Sequence, residues 1–292
     1  MVAQEDAVVL LRHPAPGGIT WRMNGIAYPG AFLGRSLRLS LSVALMIAAA
    51  AHGAEDRIQL PVGYRSLYFT DFASGIDGGL MQQKPRSESL MTVVAPGNRP
   101  GKVLRASIEK GDDFSPVANG APRAEISFGP RVRFQTGREY LIDWSTFLPG
   151  DYAFDSRQPE GITQIHQGPN LGSPPFGIAL AGSRYLVELR GAEGARPAVD
   201  RNDIGDARAD QGKWVGWRLR YLPDATGVNG RLELFKNGAL VLDRNGRPNA
   251  YAGDNHSYFK IGIYKWWWKE RPSDVTSRTL YFGDVTIAVK EQ

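Results

Sequence analysis

The chain has 292 residues, no cysteine, and five more lysines and arginines than acidic residues. The lack of cysteine excludes disulfides, thiol nucleophiles and thiolate metal sites. The positive charge is modest and forms no cluster on a predicted helix, so we expect no nucleic-acid partner.

The first distinctive segment is an apolar run at residues 37–51, which follows Arg35 and Arg38 and precedes small residues. This pattern is typical of a secretory signal peptide. A membrane anchor is the alternative, but about 15 apolar residues fall short of the ~20 that span a bilayer. We therefore expect residues 1–54 to be an N-terminal extension and signal peptide, with Met23 as an alternative start. The mature protein would be secreted or periplasmic, without membrane attachment.

The remaining residues, 55–292, are predicted to form one all-β domain, because no stretch shows a sustained helical period and turn residues are frequent. Two-residue hairpin turns are expected at Gly182-Ser183 and Asn237-Gly238. The spacing of the strands indicates an antiparallel sandwich. The predicted strands are 89–96, 102–110, 122–129, 139–149, 161–168, 176–181, 184–190, 214–222, 231–236, 239–243, 258–266 and 279–289.

Three segments, 111–121, 191–212 and 267–278, are too polar or too rich in glycine and proline to be predicted as strands. Loops of this length in a compact domain are usually functional. We expect them to surround a binding groove.

Polar residues stand at every second position in three of the predicted strands, so they share one face of a sheet. In the last of these strands the alternate residues are apolar, which predicts that one face is buried while the other lines the groove. The polar residues are Arg123 and Glu125, Gln164 and His166, and Tyr258, Lys260 and Tyr264.

These strands carry the motifs R-x-E, Q-I-H and Y-F-K-x-G-x-Y, in that order and roughly forty and then ninety residues apart. Together they resemble the jelly-roll polysaccharide lyases, which include alginate lyases, glucuronan lyase and heparin lyase I. The resemblance runs from about Leu67 to the C-terminus and implies a β-jelly-roll, concanavalin A-like sandwich with a concave substrate groove. Ser127 and Trp266 replace residues typical of alginate lyases, so the glucuronan and heparin lyase branch is favoured.

The resemblance also implies β-elimination on a uronic-acid polysaccharide, which leaves 4,5-unsaturated uronate ends. A carboxylate makes the neighbouring C5 proton a poor acid, so the site must neutralise that carboxylate. The donors suited to this task are Arg123, Gln164, His166 and Lys260. Tyr264 and His166 are the candidates for base and acid, and which of them is the base stays open. Arg123 and His166 are expected to lie near the phenol.

Other residues are predicted to bind the anionic substrate or to support the site. The aromatic run at 266–268 suggests a sugar-stacking wall, with burial in the core as the alternative. No cofactor is required, although Asp284 is a candidate ligand for a structural calcium ion. The predicted substrate-binding residues are Lys260, Tyr258, Trp266, Trp268, Lys269 and Glu125.

Two other functions compete with a lyase. A glycoside hydrolase needs two carboxylates across the groove, but no strand carries a cluster such as E-x-D-x-x-E. A lectin-like module would bind glycans through aromatic and basic residues without cutting them. We expect a monomeric enzyme in which a glucuronan-like polymer is the substrate.

Overall fold

Sixteen strands form two antiparallel sheets in the computed structural model, which describes residues 60–169, 171–192 and 199–291. The strands are β1 (Tyr64–Thr70), β2 (Met81–Gln83), β3 (Leu90–Val94), β4 (Lys102–Glu109), β5 (Arg123–Ser127), β6 (Tyr140–Phe147), β7 (Glu160–His166), β8 (Phe176–Ala181), β9 (Arg184–Leu189), β10 (Asp200–Asp206), β11 (Trp214–Leu222), β12 (Arg231–Lys236), β13 (Ala239–Asp243), β14 (Tyr258–Tyr264), β15 (Ser277–Phe282) and β16 (Val285–Lys290). The predicted all-β jelly-roll sandwich is confirmed.

The first sheet has the strand order β13-β12-β11-β6-β15-β4-β3, and β16 pairs with both β6 and β1. The second sheet has the order β10-β9-β8-β7-β14-β5-β2. The three strands that carry the polar motifs, β5, β7 and β14, are therefore neighbours in the second sheet. This topology brings together residues that are far apart in the sequence.

The hydrophobic core lies between the sheets, as the alternation in β14 predicts. Phe259, Ile261 and Ile263 are completely buried. The ring of Phe259 lies 5.2 Å from that of Trp144 on β6, and Trp144 stacks on Trp217 of β11. Aromatic contacts of this kind join the inner faces of the two sheets. The opposite face of β14 remains available to line a groove.

Close backbone packing explains the glycine in the middle of β14. Gly262 has φ +143°, and a Cβ atom there would lie only 2.2 Å from the carbonyl oxygen of Ala124 on β5. The pairing of β14 with β7 is also irregular between Ile261 and Tyr264. A larger residue would push β5 and β14 apart, so glycine preserves the floor of the site.

Both predicted hairpin turns are confirmed. Ala181 pairs with Arg184 around Gly182-Ser183. Asn237 and Gly238 both have positive φ, +49° and +81°, which fits the two-residue turn between β12 and β13.

Four details of the strand prediction are wrong. Strands β1 and β2 were not predicted, and β10 falls inside the segment 191–212 that was predicted to be a loop. β10 and β2 are edge strands, which tolerate polar or very short sequences because one side lacks a partner. The predicted last strand is two strands, β15 and β16, because the chain turns at Gly283, whose N–H donates to the carbonyl oxygen of Ser145.

All the described strands belong to one compact unit, Ile58–Gln292. The boundary predicted at residue 54, and the signal peptide before it, lie outside the described residues. Within the described part of the chain, no helix is long and apolar enough to cross a membrane.

Candidate active site

The polar motifs meet on one face of the second sheet, where β14 lies between β5 and β7. Lys260 stands opposite Gln164 on one side and Ser127 on the other. Gly262 stands opposite Glu125, and Tyr264 stands opposite Arg123. The pairing of the strands thus places the R-x-E, Q-I-H and Y-F-K motifs side by side.

Glu125 is the centre of this cluster. Its Oε2 accepts a hydrogen bond from Lys260 Nζ at 2.7 Å and one from Arg123 Nη1 at 3.4 Å. Its Oε1 accepts a hydrogen bond from the amide of Gln164. All four side chains are buried. Two cations share one carboxylate, so the cluster keeps one unmatched positive charge beneath the groove.

Arg123 is held rigidly but retains a free donor. Its Nε donates to the carbonyl oxygen of Ala121 at 3.2 Å, and its Nη1 also donates to Gln83 Oε1 at 3.1 Å. No residue within the described ranges accepts a hydrogen bond from Nη2. Gln83 was missed at the sequence level because β2 has only three residues and shows no measurable alternation. Nη2 is therefore available to a ligand carboxylate.

The phenol of Tyr264 lies beside this arginine, as predicted. The guanidinium carbon of Arg123 is 4.0 Å from the centre of the Tyr264 ring. Trp266 packs against the same tyrosine ring, with a centre-to-centre distance of 5.3 Å. A positive charge this close stabilises negative charge that develops on the phenol oxygen during proton transfer.

His166 lies opposite Tyr258 in the pairing of β7 with β14. That its ring lies near the phenol of Tyr264 stays a prediction. The rings of His166 and Tyr258 stack with centres 5.2 Å apart. His166 Nδ1 lies 2.8 Å from the carbonyl oxygen of Gln167, which can only accept. Nδ1 therefore carries the proton, and Nε2 of the neutral ring is left as an acceptor.

The environment of His166 favours this neutral form. Burial lowers the pKa of His166, and the nearby charges of Lys260 and Arg123 lower it further. The carbonyl oxygen of Gln167 and the carboxylate of Glu125 raise it, but their effect is smaller. A neutral imidazole with a free Nε2 is chemically able to accept a proton.

Lys260 and Glu125 were predicted to bind substrate directly, and their burial corrects that prediction. Lys260 is 1% exposed and Glu125 is 3% exposed. Burial lowers the pKa of Lys260, whereas the pairing with Glu125 raises it. Both residues support the groove from beneath, by positioning Arg123 and Gln164.

The aromatic run is divided between the surface and the core. Trp266 and Trp267 are half-buried and contact each other, with ring centres 5.5 Å apart. Trp268 is completely buried, and its Nε1 donates to Ser273 Oγ at 3.0 Å. The prediction that Trp268 stacks on a sugar is therefore wrong, because its ring belongs to the core.

Lys269 lies in the exposed part of the same loop. Its Nζ is 5.3 Å from the centre of the Phe114 ring. Phe114 belongs to the segment 111–121, so the contact joins two of the loops that were predicted to surround the groove.

A second buried ionic cluster, which the sequence did not reveal, holds the loop after β14. Lys265 Nζ lies 2.7 Å from Asp155 Oδ2 and 3.9 Å from Glu160 Oε2. Glu160 also pairs with Arg278, and Asp155 accepts a hydrogen bond from Ser273. Lys265 sits between Tyr264 and Trp266 in the sequence. The cluster therefore fixes the backbone that carries both of those aromatic rings.

Asp284, the candidate calcium ligand, forms a salt bridge with an arginine. Asp284 Oδ1 lies 2.9 Å from Arg99 Nη2. Within ranges 60–169, 171–192 and 199–291, no group of three or more histidine, cysteine or acidic residues is arranged to hold a metal ion. Calcium at Asp284 stays a prediction.

Comparison with known proteins identifies the family of the chain and its fold. The family model described as polysaccharide lyase matches residues 72–286. Among solved structures, the fold is similar to that of endo-β-1,4-glucuronan lyase from the fungus Trichoderma reesei, with a TM-score of 0.63 and 15% identity over 78% of this chain and 96% of that chain. It is also similar to a variant of the family 7 alginate lyase A1-II′ in complex with substrate, with a TM-score of 0.51 and 13% identity over 71% of this chain and 84% of that chain.

No curated protein matches the chain in sequence. At these identities the two solved structures establish the shared fold, and the match to the family model covers most of the chain. The chain belongs to the polysaccharide lyase family.

Proposed function

We propose that this lyase is exported from the cell and cleaves a glucuronan-like polyuronide by β-elimination. The observation that carries the proposal is the unmatched positive charge in the cluster of Arg123, Lys260 and Glu125. A buried net charge is costly unless a counter-charge is supplied. The carboxylate of a uronate bound in the groove is a counter-charge of the right sign, and the free Nη2 of Arg123 is a suitable donor to it.

Neutralisation of this carboxylate is also what the chemistry needs. Removal of the C5 proton places additional negative charge on the carboxylate, and preorganised donors stabilise it most strongly when that charge is greatest. Arg123 and Gln164 are held in place by Glu125, so they need little reorganisation as the charge grows.

Two residues are proposed to transfer protons. The base takes the proton from C5, and the electron pair of that bond forms the C4–C5 double bond. The C4–O4 bond breaks, and the acid protonates the departing oxygen. Nε2 of His166 is a free acceptor, and the hydroxyl of Tyr264 is a donor beside a fixed cation. We assign the base role to His166 and the acid role to Tyr264.

Two positions support glucuronan over alginate as the substrate. Ser127, which replaces an arginine typical of alginate lyases, stands opposite Lys260 and is buried. The groove therefore has one cation fewer at this point. Trp266, which replaces a glutamine, packs on Tyr264 and adds apolar surface for a sugar ring.

Export is supported by the sequence alone. The segment 37–51 has the pattern of a secretory signal peptide, and a polymeric substrate is encountered outside the cytoplasm.

The test is incubation of the purified enzyme with a panel of glucuronan, alginate and heparin, followed by ultraviolet absorbance. A 4,5-unsaturated uronate absorbs in the ultraviolet, whereas the product of hydrolysis does not. We expect the fastest rise in absorbance with glucuronan, and a rise slower by a factor of ~10²–10⁴ with the Tyr264→Phe variant. A faster rise with alginate would overturn the substrate assignment, and no rise with any polyuronide would overturn the proposed function.

A further inference from the structure

A second arginine lies at the other end of β14, outside the cluster around Glu125. The guanidinium carbon of Arg133 is 4.6 Å from the centre of the Tyr258 ring. The imidazole of His166 stacks against the same ring. His166 is the last residue of β7, whereas Arg133 lies in the loop that follows β5. Tyr258 therefore contacts both an arginine and the candidate base.

The position of Arg133 is set by close packing. A Cβ atom at Gly129 would lie 2.9 Å from Tyr258 Cγ and 3.1 Å from Arg133 Cζ. The absence of a side chain at Gly129 thus leaves room for the arginine to lie over the ring. Nη1 of Arg133 donates to the carbonyl oxygen of His256 at 2.8 Å, which fixes the orientation of the guanidinium group.

Arg133 and the nearby Arg131 differ in whether they pair with a carboxylate. Both are exposed and two residues apart. Arg131 makes a two-point contact with Asp77, at 2.7 and 2.9 Å. Within the described ranges, no carboxylate pairs with Arg133. Its Nε and Nη2 are the two atoms that bind a carboxylate side by side, and both are left for a ligand.

We propose that Arg133 binds the carboxylate of a uronate next to the one that is cleaved, and so forms a further subsite at the His166 end of the groove. This inference rests on the proposed function, because it assumes an acidic glycan. A guanidinium group stacked on a phenol and anchored by a carbonyl oxygen is already ordered before the ligand arrives. The energetic cost of ordering a long side chain on binding is thereby reduced.

The subsite is expected to affect substrate binding and not the chemical step, since among the described residues only Arg123 and Lys260 form salt bridges with Glu125 and Arg133 does not. Loss of the Arg133 side chain is therefore expected to weaken the binding of the substrate and of the transition state equally. Such a loss raises KM and leaves kcat unchanged. Loss of a residue that only stabilised the fold would not raise KM while leaving kcat unchanged.

The experiment compares Arg133→Gln with the matched control Arg131→Gln, on glucuronan oligosaccharides long enough to fill several subsites. We expect Arg133→Gln to raise KM about tenfold with kcat unchanged, and Arg131→Gln to change neither. In the inactive Tyr264→Phe background, Arg133→Gln is expected to raise Kd by the same factor. Added salt should weaken binding less in this variant, because one ionic contact is missing.

The result separates the two proposals. If the wild-type enzyme binds polyuronides and Arg133→Gln leaves both KM and Kd unchanged, the subsite is refuted while the proposed function stands. An equal effect of Arg131→Gln would also refute the subsite, because it would indicate a general effect of surface charge. A wild-type enzyme that neither binds nor cleaves any polyuronide would overturn both. Circular dichroism of each variant establishes that the fold is retained.

Discussion

Arg123 and Tyr264 face each other across the β5–β14 pairing, with the guanidinium carbon 4.0 Å from the centre of the phenol ring. Arg123 cannot easily move away, because Gln83, Glu125 and the carbonyl oxygen of Ala121 all accept hydrogen bonds from it. One arginine is thus placed to serve both the substrate carboxylate and the proton-transferring phenol. The first two predictions follow from this pair.

Tyr264→Phe removes one hydroxyl oxygen and almost no volume. We expect kcat to fall by a factor of ~10²–10⁴, which is typical for the loss of a general acid or base. Substrate affinity should be nearly unchanged, because the ring still packs against Trp266. Steady-state kinetics and a binding titration give the two values. Near-normal turnover would remove Tyr264 from the mechanism.

Arg123→Ala and Gln164→Ala are each expected to lower kcat more than they raise KM, because neutralisation matters most in the transition state. Arg184→Ala is a suitable control, since Arg184 is exposed and pairs with Asp203 on an edge hairpin. Its kinetics should match those of the wild type. An increase in KM alone would reassign Arg123 and Gln164 to substrate anchoring.

His166 is expected to give the rate profile an acidic limb. Burial lowers the pKa of His166 from its ordinary value of 6.5, so the neutral, proton-accepting form persists to a pH below that value. Activity should therefore fall as the pH decreases through the lowered pKa. In His166→Ala most activity should be lost, and this limb should disappear. A variant that keeps substantial activity and the same profile would show that His166 is structural and that Tyr264 performs both transfers.

Glu125→Gln should destabilise the protein because it leaves Lys260 and Arg123 buried without their carboxylate. Removal of one partner from a buried ion pair costs about 3–5 kcal/mol in the free energy of unfolding. Adding Lys260→Met should recover much of this loss, since one unpaired charge is removed. Denaturant unfolding of the single and double variants measures both effects. A double variant less stable than Glu125→Gln alone would contradict the pairing.

Asp155 gives a prediction for stability against acid. Burial opposes ionisation of Asp155, but hydrogen bonds from Lys265 and Ser273 outweigh it and hold the pKa at about 2, compared with an ordinary value of 3.8. A carboxyl group whose pKa is lowered by folding stabilises the protein at pH values above its ordinary pKa. This contribution is lost as the pH falls from about 4 to about 2. Asp155→Asn should therefore be less stable than the wild type at neutral pH, and the difference should shrink over that interval. A difference that does not depend on pH would contradict this role.

Much of the second sheet could be predicted because its central strand has a clear period of two. Phe259, Ile261 and Ile263 are buried, and Tyr258 and Tyr264 lie on the other face, as the alternation indicates. The same pattern could not show that Lys260 is buried, because a lysine on the polar face is exposed unless a carboxylate from another strand pairs with it.

The rest of the site depends on contacts between distant segments. Trp268 was misassigned because a run of three tryptophans does not show which ring turns into the core. The pairing of Lys265 with Asp155 spans 110 positions and follows no local pattern. Arg133 was overlooked because its stacking partner, Tyr258, becomes adjacent only after β5 and β14 pair.

The most direct test of the central claim is mass spectrometry of the oligosaccharides that the wild-type enzyme releases from glucuronan. β-Elimination forms a double bond without adding water, so each new non-reducing end should be lighter by one water than the product of hydrolysis. We predict that these unsaturated ends accumulate with the wild type and form ~10²–10⁴ times more slowly with Tyr264→Phe. Products that carry the full added water would contradict elimination at this site.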